Sequence, residues 1–293
     1  MAQAEITGLF QFLDYALAGY IGSDPVSMGV VDGGNLELPP ATRRRLGIGG
    51  TEHRRGGLII PGGTASFYVT DTNWDLLGYA QRASYPRGAL AELDFRGGGD
   101  GWDVTYTTAV ITTWTIDYAQ DEGLKAKINW QSLLAEEGDT GGAMDAEGEQ
   151  DFEDYEFVCE FESEEYGINA FSISGNNNVT FKGAADTKAE DTLRFPTHYV
   201  YGVEDLTMSL TTDRPLPAAT TGIIRDCLPV DLGFVATGTN CAGDVVVITL
   251  ADLAPADPLT FGLVDPNTPA GWSYGFMGSA AAGSLTVALT PGA

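Results

Sequence analysis

Lysine is scarce in this chain, and basic residues as a whole are heavily outnumbered. Only 4 of the 293 residues are Lys and 11 are Arg, against 41 Asp and Glu, which leaves a formal net charge of −26. Proteins that hold nucleic acid need clustered Lys and Arg to neutralise phosphates, and proteins that dock on anionic membranes need the same. The composition therefore argues against both functions.

Cysteine and histidine are also few. The chain has three Cys and two His, which does not favour a closed zinc site of four converging nitrogen or sulfur ligands. An odd number of Cys does not indicate a disulfide framework either. Cys227 and Cys241 bracket a short segment and are the one candidate disulfide pair. We expect no metal centre and no cofactor.

Long apolar runs are absent as well. No segment reaches the roughly 20 apolar residues of a membrane-spanning helix, and the first charge of the chain is an acid rather than the Lys or Arg of a secretory signal. Apolar residues still make up 43 % of the chain and aromatic residues 10 %, which is typical of a globular protein. We expect a folded protein that is intracellular or is assembled onto something built inside a cell.

Period-two alternation begins at residue 57 and predicts strands. Apolar and polar residues alternate over 65–70, and the even-numbered positions of 104–116 form one face of a very long strand. The turn at 120–123 separates that strand from a second one, whose inward face is the even-numbered positions of 124–130. This pattern predicts a long antiparallel hairpin, with Asn73 placed to cap a short helix before it.

Shorter strands are predicted further along, at residues 157–161, 170–174, 178–182 and 205–211. A change in composition near residues 214–226 precedes a tail in which Pro and Gly turns separate short strands at 245–250, 259–264 and 285–289. That spacing is typical of a small β-sandwich. We therefore expect an all-β protein: an antiparallel β-sandwich or partial barrel with one or two short helices over residues 1–224, and a small β-sandwich over residues 225–293.

The first 56 residues show little periodicity apart from helical spacing over residues 7–17. An extended N-terminal arm or long loop is expected over about residues 1–56. The basic cluster of the chain lies within it and consists of Arg43, Arg44, Arg45, Arg54 and Arg55. Because the rest of the chain is acidic, the natural partner of these arginines is another copy of the protein; the alternative is a solvated loop balanced by local acids.

No catalytic signature is found. The chain lacks a P-loop lysine and an H-E-x-x-H motif, and we expect His53 and His198 to be surface or packing residues. Residues 136–165 hold 14 Asp or Glu without a single Lys or Arg. The Gly-rich first half, residues 136–151, predicts a loop without the residue order of an EF-hand, so weak cation binding is the most it offers.

Trp114 and Trp130 lie in phase with apolar neighbours and are predicted core residues. The sequence favours a structural protein that is not an enzyme.

Two segments resemble a known family. Residues 110–130 form a strand, an acidic turn and a second strand. Residues 171–183 form an alternating strand, a run of Asn and an extended piece ending in Gly, and the alternating segment 201–213 follows. This pattern is similar to that of the major tail tube proteins of long-tailed (siphovirus-type) bacteriophages and archaeal tailed viruses. The resemblance covers about residues 57–213, and the long N-terminal arm and the acidic, Gly-rich loop depart from it.

The resemblance implies a virion protein without catalysis. Subunits of that family form hexameric rings whose strands join a continuous inner β-barrel, and the rings stack into a tube. The implied partners are further copies of the chain, the tape measure, tail terminator and baseplate or distal tail proteins, and genomic DNA that passes through without specific binding. The implied location is the virion tail, after synthesis in the host cytoplasm, with an Ig-like domain at 225–293 on the outside. Few Lys and many acids also fit a virus of a salt-loving host.

Two other functions stay open. One is a multi-domain β adhesin or receptor-binding virion protein, and the other is an acidic β-fold glycoside hydrolase that uses a pair of carboxylates. Assembly into rings or tubes indicates the tube subunit, glycan binding by a monomer or trimer indicates the adhesin, and release of sugar indicates the hydrolase.

Overall fold

A computed structural model describes most of the chain from residue 16 onward. The described residues are 16–21, 24–28, 31–37, 42–46, 52–56, 58–69, 73–83, 86–99, 102–138, 156–161, 164–183, 195–216, 232–239, 245–256, 260–261, 272–278 and 286–290. Within them, the first strands and the helix are β1 (Ala16–Ile21), β2 (Asp24–Ser27), β3 (Val31–Glu37), β4 (Thr42–Leu46), β5 (Glu52–Gly56), β6 (Gly62–Tyr68), α1 (Trp74–Ala80) and β7 (Leu93–Gly99).

The remaining elements are all strands. They are β8 (Trp102–Ala119), β9 (Gly123–Gly138), β10 (Glu156–Phe161), β11 (Glu164–Asn176), β12 (Val179–Lys182), β13 (His198–Tyr201), β14 (Asp205–Thr212), β15 (Leu232–Thr239), β16 (Val245–Pro255), β17 (Thr260–Phe261), β18 (Trp272–Gly278) and β19 (Thr286–Thr290). The described strand pairs are antiparallel, so the prediction of an antiparallel all-β fold is confirmed.

The hairpin of β8 and β9 is the centre of the sheet. The two strands pair from Asp103 opposite Gly138 to Ala119 opposite Gly123. Gly123 has φ 76°, in the left-handed region that glycine adopts without steric cost, and it closes the predicted turn. The predicted inward face of β9 is confirmed, because Leu124, Ala126, Ile128 and Trp130 are buried.

The prediction that the even-numbered positions of β8 face the core is confirmed at the two ends of the strand, and it is wrong for Thr108, Val110 and Thr112 in the middle. Thr108 has φ 54°, and the register with β9 shifts between Ile111 and Thr113. Each irregularity shifts by one residue which positions of β8 face the core. The first changes the inward positions from even-numbered to odd-numbered residues, and the second changes them back. The main core therefore receives Val104, Tyr106, Ala109, Ile111, Trp114 and Ile116. Val110 packs in a separate cluster with Leu90 and Phe181 instead.

Six strands form a closed ring of pairings. In order around the ring they are β10, β15, β16, β18, β14 and β11, and β11 pairs again with β10. β11 also pairs with β8, which joins the ring to the central hairpin. Their buried side chains belong to one continuous core, in which the rings of Tyr118 and Phe157 lie 4.7 Å apart and those of Phe157 and Phe171 lie 5.2 Å apart.

The ring crosses the boundary predicted near residues 214–226. β10, β11 and β14 precede that boundary, whereas β15, β16 and β18 follow it. Strand pairing joins the two sides: Leu210 lies opposite Tyr274, and Cys159 lies opposite Ala236. The separate Ig-like domain at residues 225–293 stays a prediction.

Strands β1 to β5 lie within residues 1–56, where the sequence predicts an extended arm or long loop. β1 pairs with β2 and β7, and β3 pairs with β6, so three segments of the predicted arm belong to the main sheet. Leu17, the predicted end of a helix, lies in β1; residues 1–15 lie outside the described residues. Of the described positions of β3, Leu36 is partly buried and the others are exposed, so this strand carries no period-two alternation by which the sequence could predict it.

The predicted short helix is present as α1. Asn73 precedes it, but its side chain makes no capping hydrogen bond to the helix. Its Nδ2 instead donates to the backbone oxygens of Tyr68 at 2.8 Å and Met28 at 3.2 Å. Asn73 therefore joins the start of the helix to β6 and to the end of the β2 segment.

Large aromatic rings lie over glycines on the neighbouring strand. The directly opposed pairs are Trp114 with Gly175, Trp130 with Gly63 and Phe157 with Gly238. A Cβ atom built on any of the three glycines would overlap the facing ring. Glycine at these positions therefore makes room for the side chains that fill the core.

Gly175→Ala is expected to lower the free energy of unfolding by about 1–3 kcal/mol, because the added methyl group overpacks a core that already holds Trp114. Urea denaturation measures the loss. Gly33→Ala is the matched control, since no atom lies within 4 Å of the position its Cβ would take. Equal losses in the two variants would contradict the close packing of Trp114 on Gly175.

Candidate functional site

The five predicted interface arginines lie together on a two-stranded sheet. Arg43, Arg44 and Arg45 are in β4, and Arg54 and Arg55 are in β5. The register sets Arg43 opposite Arg55, Arg44 opposite Arg54 and Arg45 opposite His53. We call β4 and β5 the arginine hairpin. Among the described strands it pairs with no other.

The register also divides the arginine hairpin into two unlike faces. Successive residues of a strand belong to opposite faces, so Arg43, Arg45, His53 and Arg55 share one face and Arg44, Arg54 and Glu52 share the other. Like charges placed directly opposite each other destabilise a strand pair. An acidic surface brought against the first face would remove that repulsion.

A buried polar network lies between α1 and the central hairpin. Its middle is Asn177, which is fully buried at the end of β11. The Asn177 Nδ2 donates to the backbone oxygens of Ala80 at 2.9 Å and Ile111 at 2.8 Å. Arg82 donates to Asn177 from Nε to Oδ1 at 3.2 Å and from Nη2 to the backbone oxygen at 2.6 Å. The network ties α1, β8 and the end of β11 together.

Glu204 is a buried acid whose charge acts on Arg82 of this network. It is 4 % exposed, and its Oε1 accepts a hydrogen bond of 3.3 Å from the indole Nε1 of Trp114. Burial raises the pKa of the Glu204 carboxyl, while the Trp114 hydrogen bond and the charge of Arg82 act in the opposite direction. Arg82 also lies with its Cζ 4.5 Å from the ring centroid of Tyr201. These groups position the connection between β13 and β14.

The stability of the protein is expected to depend on pH through Glu204. Because its pKa is higher in the folded state than the ordinary value of 4.5, the native state binds more protons than the unfolded state just above pH 4.5. The free energy of unfolding then falls as the pH rises through that interval. Glu204→Gln removes this fall, so the variant should gain stability relative to the native protein between pH 4.5 and 7.

Denaturant titrations at several pH values measure that difference. Asp121→Asn controls for the loss of one negative charge, since Asp121 is exposed in the turn between β8 and β9. A difference between Glu204→Gln and the native protein that does not change with pH would contradict the role of the carboxyl. If Asp121→Asn shows the same pH-dependent gain in unfolding free energy as Glu204→Gln, that result would also contradict the role of the Glu204 carboxyl.

The other sequence candidates are placed as follows. Trp114 and Trp130 are buried, which confirms them as core residues. His198 is exposed in β13, and Cys159 is a buried free thiol whose pKa burial raises to about 12. Cys227, Cys241 and residues 139–151 of the acidic loop lie outside the described residues. Over the described ranges, no three His, Cys, Asp or Glu side chains are grouped closely enough to hold a metal ion.

Sequence reasoning missed the buried network. Arg82, Asn177 and Glu204 are polar types that a sequence pattern places at the surface. The run of three Asn at 176–178 was the available signal, because a buried turn needs side-chain amides to satisfy its backbone groups. Nothing in the local sequence marks Arg82 as the residue that reaches it.

No protein-family model matches this chain, and no curated protein matches it significantly. The described part of the chain contains no helix with the length and hydrophobicity needed to cross a bilayer. Function is therefore inferred from strand pairing and charge.

Proposed function

We propose that this chain is a structural virion protein, the repeating subunit of the tail tube of a long-tailed virus. Hexameric rings of the chain stack around an acidic lumen through which the genomic DNA is delivered. The subunit performs no catalytic step. It is made in the host cytoplasm and resides in the virion tail, where the tape measure, tail terminator and baseplate or distal tail proteins are its neighbours.

The open sheet around the β8–β9 hairpin is the observation that carries this proposal. Among the described strands, β2 pairs with β1 alone and β3 pairs with β6 alone. A free strand edge presents unpaired N–H and C=O groups, which pair readily with a strand from another chain. Pairing of this kind around a ring of subunits closes the sheet and removes the free edges.

Charge supports the same proposal. A surface with a net charge of −26 repels the phosphate backbone, so DNA moves past it without sticking. The arginine hairpin supplies the opposite charge that contacts between acidic copies require. One chain thus carries both a surface that repels DNA and a basic segment for self-association.

Negative-stain electron microscopy of the purified chain tests the proposal. The grids are prepared in dilute buffer and in molar salt, because salt screens the mutual repulsion of acidic subunits. We expect rings or hollow tubes in at least one condition. Single compact particles in both, together with a monomer in sedimentation at high protein concentration, would contradict a self-assembling subunit, and a glycan-binding screen would then test the adhesin alternative.

A further inference from the structure

We infer that the arginine hairpin of one copy docks on the outer face of the β10–β11 hairpin of a second copy. This inference rests on the proposed function, since it assigns one of the contacts by which copies assemble. The docking partner is the same protein, and the contact is one between fixed charges.

The acceptor surface lies on β10 and β11. Glu156, Val158 and Glu160 are the exposed, alternate residues of β10, and Glu165 of β11 is exposed directly opposite Glu160. We call Glu156, Glu160 and Glu165 the acidic face. Like the arginine hairpin, it places two equal charges opposite each other, which destabilises the strand pair.

Arg214 lies beside the acidic face but contacts other groups. Arg214 donates from Nη2 to the backbone oxygen of Glu165, and its Cζ lies 4.5 Å from the ring centroid of Tyr166. No ion pair joins Glu156, Glu160 or Glu165 to another side chain of the described chain. The three carboxylates are thus available to a partner. Val158, 42 % exposed between two of them, offers an apolar contact.

The two surfaces are opposite in sign and alike in strand pairing. In both, two residues of like charge are directly opposite each other in an antiparallel register, Arg43 with Arg55 and Glu160 with Glu165. Contact between them replaces two repulsions with Arg–carboxylate hydrogen bonds, which are among the stronger polar contacts in proteins.

The two surfaces belong to different sheets of the chain. The arginine hairpin is a separate two-stranded sheet that lies between β3 and β6 in sequence, whereas the acidic face is part of the main sheet. A contact between two different surfaces of identical subunits is heterologous and therefore builds rings or filaments rather than closed pairs.

Charge reversal on each side tests the inference. The first variant is Arg43→Glu, Arg45→Glu, Arg55→Glu, and the second is Glu156→Arg, Glu160→Arg, Glu165→Arg. We expect each alone to reduce the assembled fraction at least tenfold in sedimentation velocity, and an equimolar mixture to restore assembly, because each variant then presents what the other lacks. The matched controls are Arg87→Glu and the triple change Asp121→Arg, Glu136→Arg, Glu137→Arg, which should assemble like the native protein.

The outcomes separate this inference from the proposed function. Failure of the native chain to assemble contradicts both. If the native chain and both reversed variants assemble, the inference alone is overturned. It is also overturned if both variants fold but their equimolar mixture does not assemble. Circular dichroism shows which variants fold. If a reversed variant does not, the same positions changed to Gln are measured, and assembly unaffected by those changes also overturns the inference.

Discussion

Deletion of residues 225–293 is expected to unfold the six-strand ring rather than to remove an external domain. The deletion takes away β15, β16 and β18, so β10 loses its partner on one side and β14 loses its partner on the other. It also exposes Phe157, Phe171, Met208 and Leu210, which are buried in the shared core. Burial of one large apolar side chain contributes about 1.5–3 kcal/mol, so exposure of these four costs about 6–12 kcal/mol. That loss is comparable to the whole net stability of a typical domain, roughly 5–15 kcal/mol.

Thermal melting of residues 1–224, followed by circular dichroism, measures the effect. We expect the cooperative transition of the full chain to disappear. A chain shortened after residue 278 is the control, because it loses only β19 among the described strands, and β19 pairs with β16 alone. The independent Ig-like domain that the sequence predicts requires the opposite result, in which residues 1–224 melt like the full chain and residues 225–293 fold by themselves.

Replacement of Asn177 by Leu is expected to cost at least about 3 kcal/mol of unfolding free energy. The change keeps much of the side-chain volume but leaves the backbone oxygens of Ala80 and Ile111 without their donor. A buried group without its partner costs about 1–3 kcal/mol, and more when the group is charged. The Nε of Arg82, a residue 7 % exposed, also loses its side-chain acceptor.

The neighbouring asparagine provides the control for this variant. Asn176 is exposed, and its Oδ1 accepts a hydrogen bond of 2.9 Å from the backbone N–H of Asn178. Asn176→Ala should therefore cost about 1 kcal/mol or less in the same urea titration. Similar costs for Asn176→Ala and Asn177→Leu would show that the network around Asn177 does not hold α1, β8 and β11 together.

Local sequence was informative where a strand has one buried face. In β9, Leu124 to Trp130 alternate with polar residues because one side meets the core and the other meets water. The same holds for β14, where Leu206, Met208 and Leu210 are buried. Such strands were predicted with their faces, and the turn at Gly123 was predicted with them.

Local sequence failed where burial does not alternate. The described positions of β3 are exposed apart from the partly buried Leu36, so no alternation marks it as a strand. β8 shifts its phase at Thr108 and again near Thr112. The arginine cluster was recognised as a contact segment, but its hairpin register was not, because opposing residues are distant in sequence. The buried network was missed for the same reason, since Arg82 and Asn177 are separated by 95 residues.

The sequence by itself determined the all-β class, the central hairpin, the acidic surface and the place of the basic cluster. Each of these depends on composition or on the spacing of neighbouring residues, which local chemistry dictates. Only the tertiary structure decided that strands from both sides of residue 224 share one ring, that Asn177 is buried, and that Glu160 faces Glu165. Strand partners are chosen by which buried faces fit together across the whole chain, and no local window of sequence contains that choice.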